Sequence, residues 1–562
     1  MRIGLVQFAP RIGEVQFNAV SMLEAAKAAV KNGATLVVFP ELSLIGYPPM
    51  DLLWDETLRE SCRKALDEMA NRLNIPALIG APSWEDGRVY NAAYWVSDQG
   101  WSVVGRKVLL PNYDVFDESR YFHSGDQCGV LEHGGKRFLL SICEDLWARD
   151  AEFKYPTDPV QLALDKADSP IDFILNMAAS PYSIQGIPRR AHVLQSTSTR
   201  WGIPLLYVNQ VGARADLIFD GRTSVTFPDR EVHELCPVFE QGCALWDTNL
   251  NQHIQSFVWD SNFKDTTIQR AWKSPPQGKE ELILGDHFNA TEITKALCLG
   301  IRDYLDMTGG KSVVIGLSGG VDSAVVLCLA VMALGSENVT ALLMPSEYSS
   351  ERSVEDSVAL CRLHDVAYQI LPIEDSFRAV MGTLSTKWES QPSGLTEENI
   401  QPRLRALFLM AYSNQYGSMW LNSSNKSEAA VGYSTLYGDM GGGLSVIGDL
   451  YKTQVYALAN SWNSHKEWIP LSILKAAPSA ELRPGQLDSD SLPPYPLLDA
   501  ILMDRIEGGH DEDGLIQKGH DLDLVRRVMG MLKRSEFKRH QMPPVLRVSS
   551  RSFGRGWRRS LV

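Results

Sequence analysis

One stretch past the midpoint constrains the fold more than any other. Ser312–Leu317 is a short apolar run that passes directly into Ser318-Gly319-Gly320-Val321-Asp322-Ser323, and Val321–Leu334 then continues with helical character. Glu292–Tyr304 before it reads as a helix and Ser312–Leu317 itself as a buried strand, while Thr340–Met344 and Gln369–Pro372 after it read as the next strands. Strand, helix and strand at this pitch predict a doubly wound parallel sheet, whose ligands gather at the carboxyl ends of the strands.

The first half alternates too. Ile3–Phe8, Thr35–Phe39, Ala77–Gly80, Phe138–Ile142, Phe173–Asn176 and Pro204–Asn209 are brief apolar runs. Phe17–Lys31 carries Val20, Leu23, Ala26, Ala29 and Val30 at helical spacing. This is a second α/β layered unit. A chain of 562 residues exceeds what one core supports. The periodicity fades before WKSPPQGKEE, which predicts a domain over 1–245, a linker over 246–287 and a second domain over 288–562. Residues 380–396 and 505–521 are polar, glycine-rich or charged and are expected to be mobile.

A net charge of -14 excludes a general nucleic-acid binder, because neutralising phosphates needs a basic surface. The 8 cysteines lie far apart without CxxC or Cys/His zinc spacing, which argues against a metal–thiolate site and for a reducing compartment. MRIGLVQFAP reads as a first strand, and no run nears the roughly 18 apolar residues of a membrane span. A cytoplasmic protein with no membrane partner is expected.

Three reactive side chains stand at or near strand ends in the first half. Glu41 lies in FPELSLIGYPP, Lys107 in RKVLLPNYDVFDESRYF and Cys143 in ICEDLW. Together they suit amide hydrolysis: a thiol attacks, a carboxylate takes its proton and an ammonium stabilises the oxyanion. Spacing alone is weak evidence, since a lone cysteine is usually a buried structural thiol. The three segments resemble the signatures of the nitrilase superfamily in its glutaminase form. The resemblance implies a four-layer αββα sandwich, with Glu41 as general base, Lys107 as stabiliser and Cys143 as nucleophile. It also implies glutamine contacts at Tyr113, Ser180 and Gly186. Where the family carries a basic residue this chain has Ile187, so Arg189 or Arg190 is the expected partner of the substrate carboxylate. Arg214 and Ala215 replace polar and acidic residues of the family pattern.

In the second half, glycines that admit an anion, a helix N-terminus and the hydroxyls of Ser318 and Ser323 make SGGVDS a phosphate-binding turn, with Asp322 available to Mg²⁺. It is not a Walker loop. Set between strand and helix, it resembles the pyrophosphate loop of the ATP pyrophosphatases, which make acyl-adenylates. LLMPSEYSS, LTEENIQPRLRALFLMAYSNQYG, NSSNKSEAAVGYSTLYGDMGGGLSVIGDLYKTQVY, APSAELRPGQLDSDSLPPYPLLD and SEFKRHQ resemble the NAD synthetase family. That resemblance implies ATP contacts from Gly316, Leu317, Ser318, Gly319, Gly320, Val321, Asp322, Ser323, Ser423, Lys452 and Ser479. It implies deamido-NAD contacts from Asn399, Glu428, Asp439 and Lys538, and Mg²⁺ held by Asp322 and Glu428. Ser424 replaces a family glycine, which points to a tighter loop.

The two resemblances combine into one expectation. Glutamine hydrolysed at Cys143 supplies ammonia, and ATP activates the carboxylate of deamido-NAD for amidation, with NAD as product. Ammonia free in neutral water is mostly ammonium, so an internal route between the sites is expected. Homo-oligomerisation is what the family implies. Two competing readings remain open at this stage. One is another adenylating amidotransferase; the other is a first half turned into a binding or regulatory module.

Overall fold

The computed structural model describes residues 1–150, 155–259, 288–388, 390, 392–464 and 466–560. The chain divides into two compact units, Met1–Thr266 and Thr267–Val562.

In the first unit, seven strands form a sheet in the order Gln252–Phe257, Gly242–Asp247, Arg2–Gln7, Leu36–Val38, Ala77–Glu85, Arg88–Ser97, Gly100–Arg106. Six more follow the order His233–Glu234, Ser224–Thr226, Leu205–Asn209, Phe173–Ala178, Lys136–Ile142, Gly129–His133. Strand alternation sorts the side chains. Ile3 and Leu5 meet Phe138, Leu140 and Met177 in a core between the sheets. Val6 and Phe8 face the helices Val15–Lys31 and Glu56–Arg72. Leu139 and Ile174 face Val160, Val193 and Leu194 of the helices Pro159–Lys166 and Gly186–Trp201. The result is the expected αββα sandwich.

The predicted linker starts too early. Gly242–Asp247 pairs antiparallel with Arg2–Gln7 in full register, and Gln252–Phe257 adds the sheet's edge. Residues 246–257 therefore belong to the first unit. The sequence hides the edge strand because an edge buries little, and QHIQSF is mostly polar. Residues 260–287 of the predicted linker lie outside the described residues. The hairpin of Arg88–Ser97 and Gly100–Arg106 was also absent from the expected strands.

The second unit holds five parallel strands in the order Ala367–Ile370, Val339–Leu343, Val313–Gly316, Met419–Asn422, Leu444–Ser445. The third expected strand thus forms Ala367–Ile370, two residues before the expected start, at a largely exposed edge of the sheet. From Val313–Gly316 the chain first builds outward on one side, then returns to build the other, so the order switches beside this central strand. The helix Leu395–Tyr416 lays Ala406 and Leu409 on Val314, Leu342 and Trp420. The helix Val321–Leu334 is buried almost throughout. A separate core joins the helices Tyr495–Ile506 and Leu522–Arg534 through Leu498, Leu502, Val525 and Val528, with Phe553 and Trp557. Segments 380–396 and 505–521, expected to be mobile, are partly helical, contributing to Glu374–Ser385, Leu395–Tyr416, Tyr495–Ile506 and Glu512–Gln517. No helix among the described residues is long and apolar enough to cross a membrane.

Gly80 shows how tightly the first sheet is fitted to its loops. A Cβ there would lie 2.4 Å from Leu42 N and 2.4 Å from Pro40 O, the backbone flanking Glu41. Gly80→Ala must displace that loop. It should destabilise the first unit by about 1–3 kcal/mol. Thermal denaturation checks this; an unchanged melting temperature would contradict the packing argument.

Candidate active sites

In the first unit the strand ends deliver the three reactive groups. Glu41 follows Leu36–Val38, Lys107 follows Gly100–Arg106, and Cys143 opens a short 3-10 turn after Lys136–Ile142. Lys107 Nζ stands 2.7 Å from Glu41 Oε1 and 2.8 Å from Glu118 Oε1, with all three side chains buried. Asn91 Nδ2 donates to the same Glu41 oxygen at 2.7 Å, while Ala179 N donates to Oε2 at 2.8 Å. Oε1 is thereby occupied by two donors, and Oε2 retains a lone pair for a proton. Tyr47 Oη donates to Glu118 Oε1 at 2.8 Å, and Gln210 Nε2 donates to the Glu41 carbonyl at 2.7 Å. Nothing in the sequence pattern singled out Glu118 or Asn91; only the fold brings them to the lysine.

Electrostatics set the resting protonation. Burial and the Glu41 charge push the Cys143 thiol well above its ordinary range, against the pull of Lys107. Burial works against the Lys107 charge, but Glu118 and Glu41 hold it well above the usual lysine value. The resting site is a neutral thiol beside an ammonium. Burial raises Glu118 to about 7, although Lys107 pulls it down.

Tyr113 Oη donates to both oxygens of Glu144 at 3.1 Å, and Tyr155 Oη donates to one of them at 2.7 Å. Ser180 follows Ala179, whose N–H holds Glu41, and exchanges hydrogen bonds with Asn209. Gly186 opens the helix Gly186–Trp201. The expected carboxylate partners are already engaged. Arg190 is buried against Asp220, over the ring of Tyr207. Arg189 pairs with Asp150 and lies over Trp147. Arg190 is thus a core ion pair, while Arg189, about one-third exposed, is the one placed to exchange partners. Arg214 turns into the backbone, donating to Pro10 O at 2.5 Å, and Ala215 sits at φ 55° in the turn that follows.

In the second unit, a cavity of about 280 Å³ opens at the carboxyl end of Val313–Gly316. Gly316, Leu317, Ser318, Gly319, Gly320, Val321, Asp322 and Ser323 line it, with Ser423, Lys452, Ser479, Glu428 and Asp439. Gly319 has φ 78°, and a Cβ on it would strike the Ser353 backbone at 2.6 Å. Lys452 Nζ pairs with Asp322 and lies 3.5 Å from Glu428 Oε1. Burial and Asp322 push Glu428 up to about 8. Two convergent carboxylates sharing one ammonium suit Mg²⁺, which typically takes one or two protein carboxylates and completes its shell with water and phosphate. Among the described residues no cluster of three or more His, Cys, Asp or Glu offers a fuller metal cage.

Asn399 and Lys538 do not line this cavity. Asn399 Oδ1 accepts from Thr435 Oγ1 at 2.8 Å, and Lys538 Nζ donates to the carbonyls of Gly432 and Ser434 at 2.8 and 2.6 Å. Both shape the segment that brings Gly438 and Asp439 to the wall. Ser424 ties its hydroxyl to the Asp439 carbonyl at 3.2 Å, a bond no glycine could make. Arg352, Arg405, Tyr433 and Glu481 also line the cavity and were not foreseen.

The two halves match two families in turn. Residues 2–255 match Carbon-nitrogen hydrolase and residues 293–543 match NAD synthase. This is a hydrolase of carbon–nitrogen bonds joined to an amide-forming nucleotide enzyme. The chain is 38% identical to the glutamine-dependent NAD(+) synthetase of Synechocystis sp., with 99% of this chain and 97% of the relative covered. The Thermotoga maritima enzyme of that name is also 38% identical, with 99% and 98% covered. The structure of glutamine-dependent NAD+ synthetase from Acinetobacter baumannii in complex with adenosine diphosphate is 36% identical, with a TM-score of 0.73, covering 100% of this chain and 98% of that one. The chain belongs to the glutamine-dependent NAD(+) synthetase family.

The buried Glu144 gives a stability test. Burial raises it to about 7 from 4.5. Its folded state therefore disfavours the charged form, and the cost grows as pH rises from about 4.5 to 7 and is full above that. Glu144→Gln should stabilise the first unit by up to about 3 kcal/mol at pH 8 and by little at pH 5. Melting curves of both forms at the two pH values check the sign.

Proposed function

We propose that this chain makes NAD from deamido-NAD, ATP and glutamine, hydrolysing glutamine at Cys143 and forming the amide at the SGGVDS cavity. The observation that carries this reading is the buried Glu41–Lys107–Glu118 cluster beside the thiol, a set with no evident purpose in a binding module. Cys143 Sγ attacks the side-chain amide carbon of glutamine, and the thiol proton passes to Glu41 Oε2, the oxygen with a lone pair to spare. Lys107 faces the developing oxyanion. Collapse expels ammonia, which takes its proton back from Glu41, and leaves a thioester. Glu41 then activates water to release glutamate and restore the thiol. Tyr113, Ser180, Gly186 and Arg189 surround the substrate's amino-acid end.

In the second half, the amides and hydroxyls of Gly316–Ser323 and the ammonium of Lys452 receive the ATP phosphates, with Ser423 and Ser479 at the cavity wall. Asp322 and Glu428 would hold Mg²⁺, which offsets phosphate charge when bound. The carboxylate of deamido-NAD attacks the α-phosphorus and pyrophosphate leaves. Ammonia then attacks the acyl carbon and AMP leaves. Asp439, and the segment shaped by Asn399 and Lys538, orient the dinucleotide.

Cys143→Ala should cut glutamine-driven NAD formation by about three orders of magnitude or more, while ammonia-driven formation stays near wild type. Two nitrogen donors assayed on each protein decide this. In the wild type, amide-labelled glutamine mixed with unlabelled ammonium should give mainly labelled NAD. A product drawn from the external pool would sink the idea of a protected ammonia route.

A further inference from the structure

The mechanism above gives no role to Asp145, a buried acid in the nucleophile's own segment. Asp145 is 1% exposed, and backbone N–H groups donate to both oxygens of its carboxylate. Its Oδ1 accepts from Val108 N and Leu109 N, each at 2.9 Å, and its Oδ2 accepts from Ile142 N at 2.9 Å. Val108 and Leu109 follow Lys107 directly, and Ile142 precedes Cys143. A single carboxylate therefore spans the two chain segments that carry the oxyanion stabiliser and the nucleophile.

We infer that Asp145 is a positioning residue for glutamine hydrolysis, fixing the Lys107 segment against the Cys143 turn. The inference rests on the reading of Cys143 as the nucleophile. Two features support it. Cys143 has φ 43°, a left-handed conformation that a non-glycine residue keeps only when its surroundings over-determine it. The bond from Ile142 N to Asp145 Oδ2 closes the turn just before that strained residue. Second, the acid must accept on both oxygens. An ionised carboxylate offers acceptor sites on both sides, whereas an asparagine amide presents donors on one of them. Asp145→Asn keeps the shape of the side chain but sets an N–H against either Ile142 N or the Val108 and Leu109 pair. One side of the bridge must open, and Lys107 and Cys143 then shift relative to each other.

The test uses the full chain with Asp145→Asn. Glutamine kcat should fall about 10- to 100-fold, the size expected of a small misplacement of reacting groups, with KM for glutamine within about threefold. The pH profile of Cys143 alkylation by iodoacetamide should move to higher pH, because a displaced Lys107 stabilises the thiolate less. Ammonia-driven NAD formation should stay within about twofold of wild type. If Asp145→Asn gives no folded protein, Asp145→Ser is read by the same criteria, since it removes the bridge without the opposed donors. The inference is overturned by a glutamine kcat within about threefold of wild type. It is also overturned by equal losses in both activities with an unmoved alkylation profile, the mark of a purely structural acid. Cys143→Ala run alongside separates the two levels: if that variant keeps glutamine turnover, the nucleophile reading itself fails, whatever Asp145 does.

Discussion

The first half is organised around one buried ammonium. Lys107 lies between Glu41 and Glu118, with almost no exposed surface on any of the three side chains. Removing three charges from water costs several kcal/mol per ion, and only close mutual contact offsets it. The contacts join Glu41 to a stretch 66 residues on that carries both Lys107 and Glu118, so the cluster forms only when the sheet ends and their loops are in place. Asn91, Ala179 and Tyr47 supply the remaining donors. The same arrangement determines the chemistry. Burial first, and then the Glu41 charge, push the Cys143 thiol up, against the pull of Lys107. A resident thiolate would be open to alkylation and oxidation.

The second half uses lysines in two contrasting ways. Lys426 is fully buried, 2.9 Å from Asp449 and from Glu507, and it also donates to Ser549 Oγ and the Arg551 carbonyl. Every donor is matched, and the group ties the C-terminal segment to the helix that carries Glu428. Lys452, twenty-six residues on, has two carboxylates but faces a cavity. Burial and the neighbouring Asp322 raise Glu428 to about 8, so a further positive charge between the two carboxylates is favourable. A satisfied cluster holds the fold together, whereas an unsatisfied one at a strand switch point is a site waiting for a charged ligand.

Much of this was legible in the residues. Val321–Leu334 was read to the residue, because a glycine turn before it and a glycine after it leave little freedom. The SGGVDS loop was legible because its constraint is local: strand, turn and helix are contiguous. Asn91 and Asp145 were not, since their roles depend on which distant strand ends meet, and spacing along the chain carries no record of that; Glu118 meets Lys107 only because the loop between them folds back. The linker boundary failed for a different reason. An edge strand such as Gln252–Phe257 is stabilised by backbone pairing more than by burial, so its side chains carry a weak pattern. The expected role of Arg190 failed because Asp220, thirty residues later, claims it.

The departures near Ile187 and Arg214 raised the question of whether the first half has lost its chemistry. The structure gives each an ordinary place. Ile187 sits in the first turn of a helix, and Arg214 braces a hairpin by donating to Pro10 O. Neither disturbs the lysine cluster. Energetics make the stronger case. Replacing a buried ion cluster with apolar side chains of similar volume is often neutral or stabilising, so a domain kept only for binding would have no need to maintain Glu41, Lys107 and Glu118 as charges in a dry interior. Their close mutual contacts offset part of that cost, and their retention as charges fits the proposed attack by the thiol beside them.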